Sequence, residues 1–306
     1  MALFVAYEGV DLANLSVWYG EIPVASEHHI RVANGPYEQN YYGTFVYYDE
    51  ELAGGTVNSA DAYVNGVRLF SVEGLQVPAL TAEYYIDSGN VQGLLSEMFS
   101  GDDVFSGSPG NDTFIGTTGN DRYLGGAGID YLNLVGNKSA YSLQQSSEGF
   151  QLKTVYTGAT DVLVGVERVM FSDASVALDL EGNAGSAYRL YEAALNRKPD
   201  LGGLGYWIAR LDHGASLTEA ANGFIQSHEF AQRYGAANSN EEFLALLYQN
   251  VLDRSPDPAG SQYWLANMDH GMQRAELLLG FSESNENRIA ISGAIEQGIE
   301  YLPQWI

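Results

Sequence analysis

The sequence predicts a multidomain α+β protein, because three different residue patterns follow one another along the chain. Residues 1–97 are rich in Tyr, Val and Gly in strand-like runs, which favours an N-terminal antiparallel β-domain. Residues 98–181 start with a nine-residue repeat and continue as alternating strands, while residues 186–306 place Ala, Leu, Glu and Gln at helical spacing. This last segment repeats itself with a period of 57 residues, which predicts an all-α domain of two repeated units.

The chain is strongly acidic and has no cysteine. Its 306 residues include 39 Asp and Glu against 14 Lys and Arg, giving a formal net charge of -25. This charge opposes binding to nucleic acid or to an anionic membrane, and it makes divalent cations the natural counter-ions. The absence of cysteine excludes disulfides, thiolate metal sites and thiol nucleophiles. No Sec-type signal peptide is recognised at the N-terminus, and no run of about 18 apolar residues predicts a membrane span.

Turn signals divide the predicted strands of residues 1–97. Asn65-Gly66 predicts a hairpin turn, and Gly54-Gly55 predicts a second turn. A short helix is expected at NVQGLLSEMF, residues 90–99. Three runs are predicted as strands: YYGTFVYY (41–48), AYVNGVRLFSV (62–72) and LTAEYYI (80–86).

The nine-residue repeat occurs in four consecutive copies between residues 98 and 133. Each copy has Gly at its fourth position, Asp at its sixth and an apolar residue at its eighth. Glycine permits a tight loop with positive φ, and the eighth side chain points into a core, so each copy predicts a turn followed by a very short strand. The aspartates are Asp103, Asp112, Asp121 and Asp130, and the apolar residues are Phe105, Phe114, Tyr123 and Leu132.

This segment resembles the RTX (hemolysin-type) calcium-binding repeat family. The resemblance implies a parallel β-roll in which like loops stack eighteen residues apart, so that Asp103 lies beside Asp121 and Asp112 beside Asp130, with calcium between the members of each pair. Residues 158–179 resemble the closing strands of such rolls. The family also implies an uncleaved C-terminal export signal, and the tail at 293–306 is either that signal or a final helix.

The chemistry of stacked aspartates also favours calcium. Carboxylates about one strand spacing apart repel each other at neutral pH unless a hard dication lies between them. Calcium takes about six to eight oxygens, more than two carboxylates supply, whereas Mg²⁺ requires a stricter octahedron. The array departs from its pattern at Ile129, and Ser139 stands where the next Asp is expected, so two internal sites are predicted. Backbone carbonyls are expected to complete them, from positions such as Gly110, Asn111, Gly119 and Asn120.

The 57-residue repeat carries three motifs in each copy: Arg-x-Pro-Asp, Gly-x-x-Tyr-Trp and Phe-x-x-Ser-x-Glu. On these motifs, residues 188–288 resemble DUF4214, a domain of unknown function often found behind RTX repeats in exported bacterial proteins. Trp207 and Trp264 are interpreted as core residues, with stacking on sugar rings as the alternative. Two Arg-Asp pairs are interpreted as fixing turns between helices: Arg197 with Asp200, and Arg254 with Asp257.

The remaining candidate sites favour structural roles. Asp-His-Gly recurs at 212–214 and 269–271, where a His near a helix C-terminus followed by Gly at C′ is preferred to a catalytic Asp-His pair. Glu27-His28-His29 has no third zinc ligand nearby and is interpreted as part of a solvated strand or loop. The sequence contains no nucleophile elbow, no His-Glu-x-x-His and no phosphate loop.

Together these patterns predict an exported, non-catalytic calcium-binding protein of the cell surface or extracellular matrix. Extracellular calcium is expected to order the roll, because such modules have dissociation constants of about 0.1–1 mM. The expected partners are calcium ions and further copies of the chain in an oligomer, filament or layer, with a surface glycan as a further candidate. The alternative function is a carbohydrate-binding module or adhesin that uses the helical repeats, and an enzyme in the N-terminal β-domain is a third hypothesis.

Overall fold

The computed structural model describes residues 1–16, 19–235, 237 and 239–304. The chain divides into two compact units, Met1–Asp173 and Ala174–Ile306. None of the helices in the described ranges combines the length and the hydropathy that a membrane crossing requires. The predicted α+β layout is confirmed, since strands dominate the first unit and helices the second.

The first unit contains strands and two short helices. Its helices are α1 (Ala79–Asp87) and α2 (Val91–Met98). Its strands are β1 (Leu3–Ala6), β2 (Glu21–Ala25), β3 (His29–Asn34), β4 (Tyr37–Tyr48), β5 (Glu51–Val64), β6 (Val67–Glu73), β7 (Val77–Pro78), β8 (Val104–Ser106), β9 (Thr113–Ile115), β10 (Arg122–Leu124), β11 (Tyr131–Asn133), β12 (Tyr141–Ser146), β13 (Gly149–Thr154), β14 (Thr160–Val164) and β15 (Arg168–Met170).

Strands β2 to β6 form an antiparallel meander that includes the predicted hairpin. The turn between β5 and β6 is Asn65-Gly66, with φ of 51° and 78°. Such positive φ values suit the twist of a two-residue hairpin, which explains the choice of Asn and Gly. The predicted strands at 41–48 and 62–72 lie in β4, β5 and β6.

Two local predictions in this region were wrong. Gly54-Gly55 lies inside β5, and the turn before it is made by Asp49 and Glu50. Gly55 is needed there because a Cβ would lie 1.9 Å from the carbonyl oxygen of Thr44 on the neighbouring strand. LTAEYYI forms α1 instead of a strand, since the small residues Ala79 and Ala82 recur at helical spacing and are both buried.

The nonapeptide segment forms two stacks of short parallel strands. One stack runs β1, β8, β10, β14, and the other runs β9, β11, β15. The eighth residue of each repeat points inward, as predicted: Phe105, Phe114, Tyr123 and Leu132 are all fully buried. Because β1 also pairs antiparallel with β6, the N-terminal meander and one face of the roll share a single sheet.

The roll continues beyond the repeats after an insertion. Strands β12 and β13 form an antiparallel hairpin, and β13 pairs with β14. β14 then stacks on β10 with Leu163 opposite Tyr123, and β15 stacks on β11 with Val169 opposite Leu132. The coil that follows the last repeat is therefore built from residues that lack the nine-residue pattern.

The second unit is a tandem of four-helix repeats. Each helix of the second copy begins 57 residues after its counterpart, so the sequence period is the structural period. The C-terminal tail is partly a helix end and partly a strand that pairs antiparallel with the first strand of this unit, and Trp305 and Ile306 lie outside the described residues. The elements are β16 (Ser175–Ala177), α3 (Asn183–Leu195), α4 (Leu201–Asp212), α5 (Leu217–Ile225), α6 (His228–Tyr234), α7 (Asn240–Leu252), α8 (Pro258–Asp269), α9 (Arg274–Ser282), α10 (Asn285–Ile295) and β17 (Ile299–Tyr301).

Candidate metal centre

The four repeat aspartates are buried and lie in the two predicted stacks. Their exposed fractions are 3% for Asp103, 0% for Asp112, 1% for Asp121 and 0% for Asp130. On one edge of the roll, the Asp103 N–H donates to Asp121 Oδ1 at 2.9 Å. On the other edge, the Asp112 N–H donates to Asp130 Oδ1 at 2.8 Å. Each predicted pair is thus brought together by a backbone bond between adjacent coils.

Each pair keeps one carboxylate oxygen without a hydrogen bond. Asp121 Oδ2 accepts from the Thr117 hydroxyl at 2.7 Å, and Asp112 Oδ2 accepts from the Ser108 N–H at 2.7 Å. By contrast, Asp103 Oδ2 and Asp130 Oδ2 are buried and unsatisfied. A buried carboxylate oxygen without a donor is costly, so these two atoms are suited to a cation.

Glycines hold the loops of adjacent coils close together. A Cβ on Gly125 would lie 1.8 Å from the Gly165 carbonyl oxygen and 2.5 Å from Asp130 Oδ2. A Cβ on Gly119, which has φ of 129°, would lie 2.0 Å from the Gly101 carbonyl oxygen. Glycine is therefore required at these positions, because a larger residue would collide with the backbone of the adjacent coil or with the carboxylate beside it.

The residues before the aspartates also link the coils. Asp102 Oδ1 accepts from the Asn120 N–H at 2.8 Å, and Asn111 Oδ1 accepts from the Ile129 N–H at 3.0 Å. Asn120 Oδ1 in turn accepts from the Thr160 N–H at 3.0 Å. These bonds use the side chains of Asn111 and Asn120, which were predicted to contribute their carbonyls. The carbonyl oxygen of Gly110 lies against Gly128 of the next loop, where a Cβ would be 2.8 Å away.

Two carboxylates outside the repeats continue the stacks, and the nine-residue pattern predicted neither of them. The Asp121 N–H donates to Asp161 Oδ1 at 2.9 Å, and the Asp130 N–H donates to Glu167 Oε2 at 2.9 Å. Asp161 lies in β14 one residue before Val162, which pairs with Arg122, so it is the counterpart of Asp121 in the register. The Asp-x-apolar pattern of residues 161–163 was the available signal. The inserted hairpin placed it out of the nine-residue register.

Burial raises the pKa of Asp121, Asp130 and Asp161 well above the ordinary value for Asp. The pKa of Asp121 is raised to about 6 by burial, with a further contribution from the charge of Asp103. Burial and the charge of Asp112 likewise raise the pKa of Asp130 to about 6. The pKa of Asp161 is raised to about 7 by burial and by Asp121. Without a counter-ion, ionising these groups opposes folding.

The residues present suit a calcium ion held by carboxylates together with backbone carbonyls. They do not suit a metal ion held by side chains alone. Among the described residues, no group of three or more His, Cys, Asp and Glu side chains is placed to hold a metal ion. A dication at either edge therefore needs backbone carbonyl oxygens, which the glycine loops bring next to the carboxylates. Calcium accepts such mixed oxygen sets. Asp103 with Asp121 and Asp112 with Asp130 would hold it, and its charge would neutralise the stacked carboxylates.

The repeated motifs of the helical unit come together in ion pairs. The Arg197 guanidinium bonds both oxygens of Glu229 at 2.6 and 2.9 Å, and Arg254 bonds both oxygens of Glu286 at 2.8 and 2.9 Å. The predicted pairs with Asp200 and Asp257 are present at 3.4 and 3.3 Å. The sequence did not identify the Glu residues as the closer partners of the arginines.

The repeated tryptophans pack against the helical core. Trp207 and Trp264 are partly buried, and a Cβ on Gly223 or Gly280 would meet their rings at 2.4 and 2.6 Å. Each ring also lies against a buried Phe. These contacts cover part of the indole surface that a sugar ring would use.

The histidines of the remaining candidate sites bond to backbone or amide groups. His213 follows α4 and His270 follows α8, and each ring lies within hydrogen-bond distance of a carbonyl oxygen of its own helix. The glycines after them have positive φ, as C′ residues do. His29 lies in β3, where its ring bonds Asn40 and stacks on Tyr42.

Comparison with family models identifies both repeat regions. Residues 99–132 match the RTX calcium-binding nonapeptide repeat (4 copies). Residues 183–232 and 221–290 match the domain of unknown function DUF4214. Both predicted resemblances are confirmed, and calcium is the ion that RTX nonapeptide repeats bind. A search of curated proteins found no match to this chain.

Proposed function

We propose that this protein is an exported, non-catalytic structural component of the cell surface or extracellular matrix that folds and self-assembles when calcium binds its roll. The observation that carries this proposal is the pair of buried, unsatisfied oxygens, Asp103 Oδ2 and Asp130 Oδ2, one in each stacked carboxylate pair. Calcium between the coils would satisfy both, and its charge would favour the ionised forms of Asp121 and Asp130, whose pKa values are raised by burial and by a neighbouring carboxylate.

Export is supported by the match to RTX repeats, a family associated with secretion. Cytosolic calcium lies far below the dissociation constants of extracellular calcium modules, about 0.1–1 mM. The roll would therefore stay unfolded during passage and fold outside, where bound calcium adds RT ln(1 + [L]/Kd) to the stability.

Self-assembly is supported by exposed apolar side chains on the roll. Val135 is 88% exposed and Tyr156 is 89% exposed. Both residues lie next to the segment Ala140-Tyr141. The Tyr141 hydroxyl donates to the Val135 carbonyl, and the N–H of Val155, the residue before Tyr156, donates to the Ala140 carbonyl. We call Val135, Val155 and Tyr156 the apolar patch. Such a patch on an acidic surface suits contact between copies once calcium has screened their charge.

Size-exclusion chromatography with light scattering tests assembly. In 5 mM calcium the full chain is expected to elute as an oligomer, and in EGTA as an expanded monomer. The double variant V135S/Y156S is expected to remain monomeric in calcium while circular dichroism shows the same calcium-induced ordering. Ile289→Ser, at an exposed apolar residue of the helical unit, is the matched control and is expected to assemble normally. A wild-type monomer in both conditions would refute assembly.

A glycan-binding role for the helical repeats is less well supported. The tryptophans that suggested it pack on Gly223 and Gly280, and the neighbouring exposed aromatics are Tyr206 and Tyr263. Two separated tyrosines provide a smaller stacking platform than two open indole faces.

A further inference from the structure

A groove of about 520 Å³ crosses one face of the N-terminal meander beside α1. Its floor is apolar and comes from neighbouring strands, with Ile30 and Val32 from β3, Phe45 from β4 and Leu52 from β5. The helix contributes the small side chains of Ala79 and Ala82 and the larger Ile86 to the wall. A volume of this size is typical of small-molecule sites, for which about 300–1,000 Å³ is usual.

One part of the groove is acidic and carries an unsatisfied hydroxyl. Glu51, Glu83 and Asp87 line it, and burial, followed by the charges of Asp87 and Glu51, raises the pKa of Glu83. The Tyr47 hydroxyl is buried without a hydrogen-bond partner, and burial, with a smaller contribution from the Glu83 charge, raises the pKa of Tyr47. The carboxylates and the phenol therefore face the same region of the groove.

The arginines of the N-terminal segment pair with other carboxylates. Arg31 and Arg68 are the Lys or Arg residues of positions 1–97. Arg31 pairs with Glu38 at 2.8 Å and Arg68 pairs with Asp61 at 3.2 Å. Neither arginine therefore pairs with Glu51, Glu83 or Asp87, and these carboxylates can accept from a bound cation.

We propose that this groove binds a small amphiphile with an apolar body and a protonated amine. The body would cover the apolar floor, and the ammonium group would donate to the carboxylates and to the Tyr47 oxygen. Three N–H donors suit this set of acceptors. The proposal concerns residues 22–87 and is independent of calcium binding and of assembly.

The surroundings disfavour two other occupants. A peptide would bring backbone N–H and C=O groups against an apolar floor where most would lack partners. A dication would need more oxygen ligands, and no cluster of His, Cys, Asp and Glu side chains fit for a metal occurs in the described part of the chain.

Isothermal titration calorimetry of the full-length protein, at constant calcium and pH 7.5, tests the proposal. The three probes have the same number of carbon atoms: octylammonium, octanol and octanoate. Octylammonium is expected to bind with a millimolar or lower dissociation constant, and octanoate at least tenfold more weakly. Glu83→Gln is expected to weaken octylammonium about tenfold and to leave octanol unchanged.

Two further variants separate this site from general effects of charge and folding. Ala25→Trp, at an exposed groove residue of β2, is expected to abolish binding of octylammonium and octanol by filling the space. Glu27→Gln removes one charge from the turn between β2 and β3, outside the groove, and is expected to leave binding of all three probes unchanged. Equal binding of octanoate and octylammonium, equal effects of Glu83→Gln and Glu27→Gln, or no binding of any probe would overturn the proposal.

Discussion

Asp130→Asn is expected to stabilise the roll in EGTA and to remove the additional stability that calcium gives through this site. The substitution keeps an oxygen that can accept from the Asp112 N–H, and it removes a buried charge whose pKa is raised to about 6. At pH 7.5 without calcium, loss of that charge is expected to raise the free energy of unfolding by about 2–3 kcal/mol. With calcium at ~100 times its dissociation constant, loss of one site removes about 2.7 kcal/mol, which offsets this gain, so the free energy of unfolding in calcium is expected to stay close to that of the wild type.

Differential scanning calorimetry measures both effects on the calcium-sensitive transition, in buffers with a stabilising osmolyte so that the roll is folded in EGTA as well as in calcium. A change of 2–3 kcal/mol corresponds to a shift in Tm of roughly 5–10 °C for a unit of this size. Asp49→Asn is the matched control, because Asp49 is exposed and occupies a turn position with positive φ that Asn adopts readily. A decrease in Tm of equal size in EGTA and in calcium would mean that Asp130 acts only as a hydrogen-bond acceptor.

The nine-residue register predicted the inward residues and the stacked aspartate pairs because both depend on local periodicity. A repeat fixes which side chain faces the core and which loop lies above which, so Phe105 and Tyr123 could be assigned without coordinates. The same logic predicted the 57-residue helical period, since each helix packs on partners within its own copy or the adjacent one.

The features that were missed depend on long-range pairing. β1 lies beside β8 although about 100 residues separate them, and no local pattern indicates that the meander and the roll share a sheet. Asp161 joins the Asp121 edge only because the β12–β13 hairpin loops out of the register. The helix at 79–87 was mistaken for a strand because its aromatic residues have high β-propensity, which the burial of Ala79 and Ala82 overrides.

The repeated motifs also did not predict the closest ion pairs of the helical unit. Arg197 was assigned to Asp200, three residues away, because that spacing is visible in the sequence. Its bidentate partner Glu229 lies 32 residues further along and reaches it only through the packing of the helices. Matching motifs in both copies showed that Glu229 and Glu286 are equivalent, but not what they contact.

The pH dependence of stability is expected to be largely lost when calcium is added. Asp121, Asp130 and Asp161 have pKa values of about 6, 6 and 7, against an ordinary value of 3.8. Between pH 3.8 and 7 the folded chain therefore holds protons that the unfolded chain has released. The stability that these groups contribute is complete below about pH 4 and is lost as the pH rises through 6 to 7.

Calcium removes this slope because it binds the ionised carboxylates and competes with their protons. In buffers with a stabilising osmolyte, the Tm of the calcium-sensitive transition is therefore expected to fall between pH 4.5 and 7.5 in EGTA and to stay nearly level over the same range in saturating calcium. Asp161→Asn is expected to reduce the slope of Tm against pH in EGTA, and to do so most in the upper half of this pH range, since Asp161 has the highest pKa of the three. Parallel curves with and without calcium would mean that the ion does not bind at these carboxylates, even if it binds elsewhere on the acidic surface.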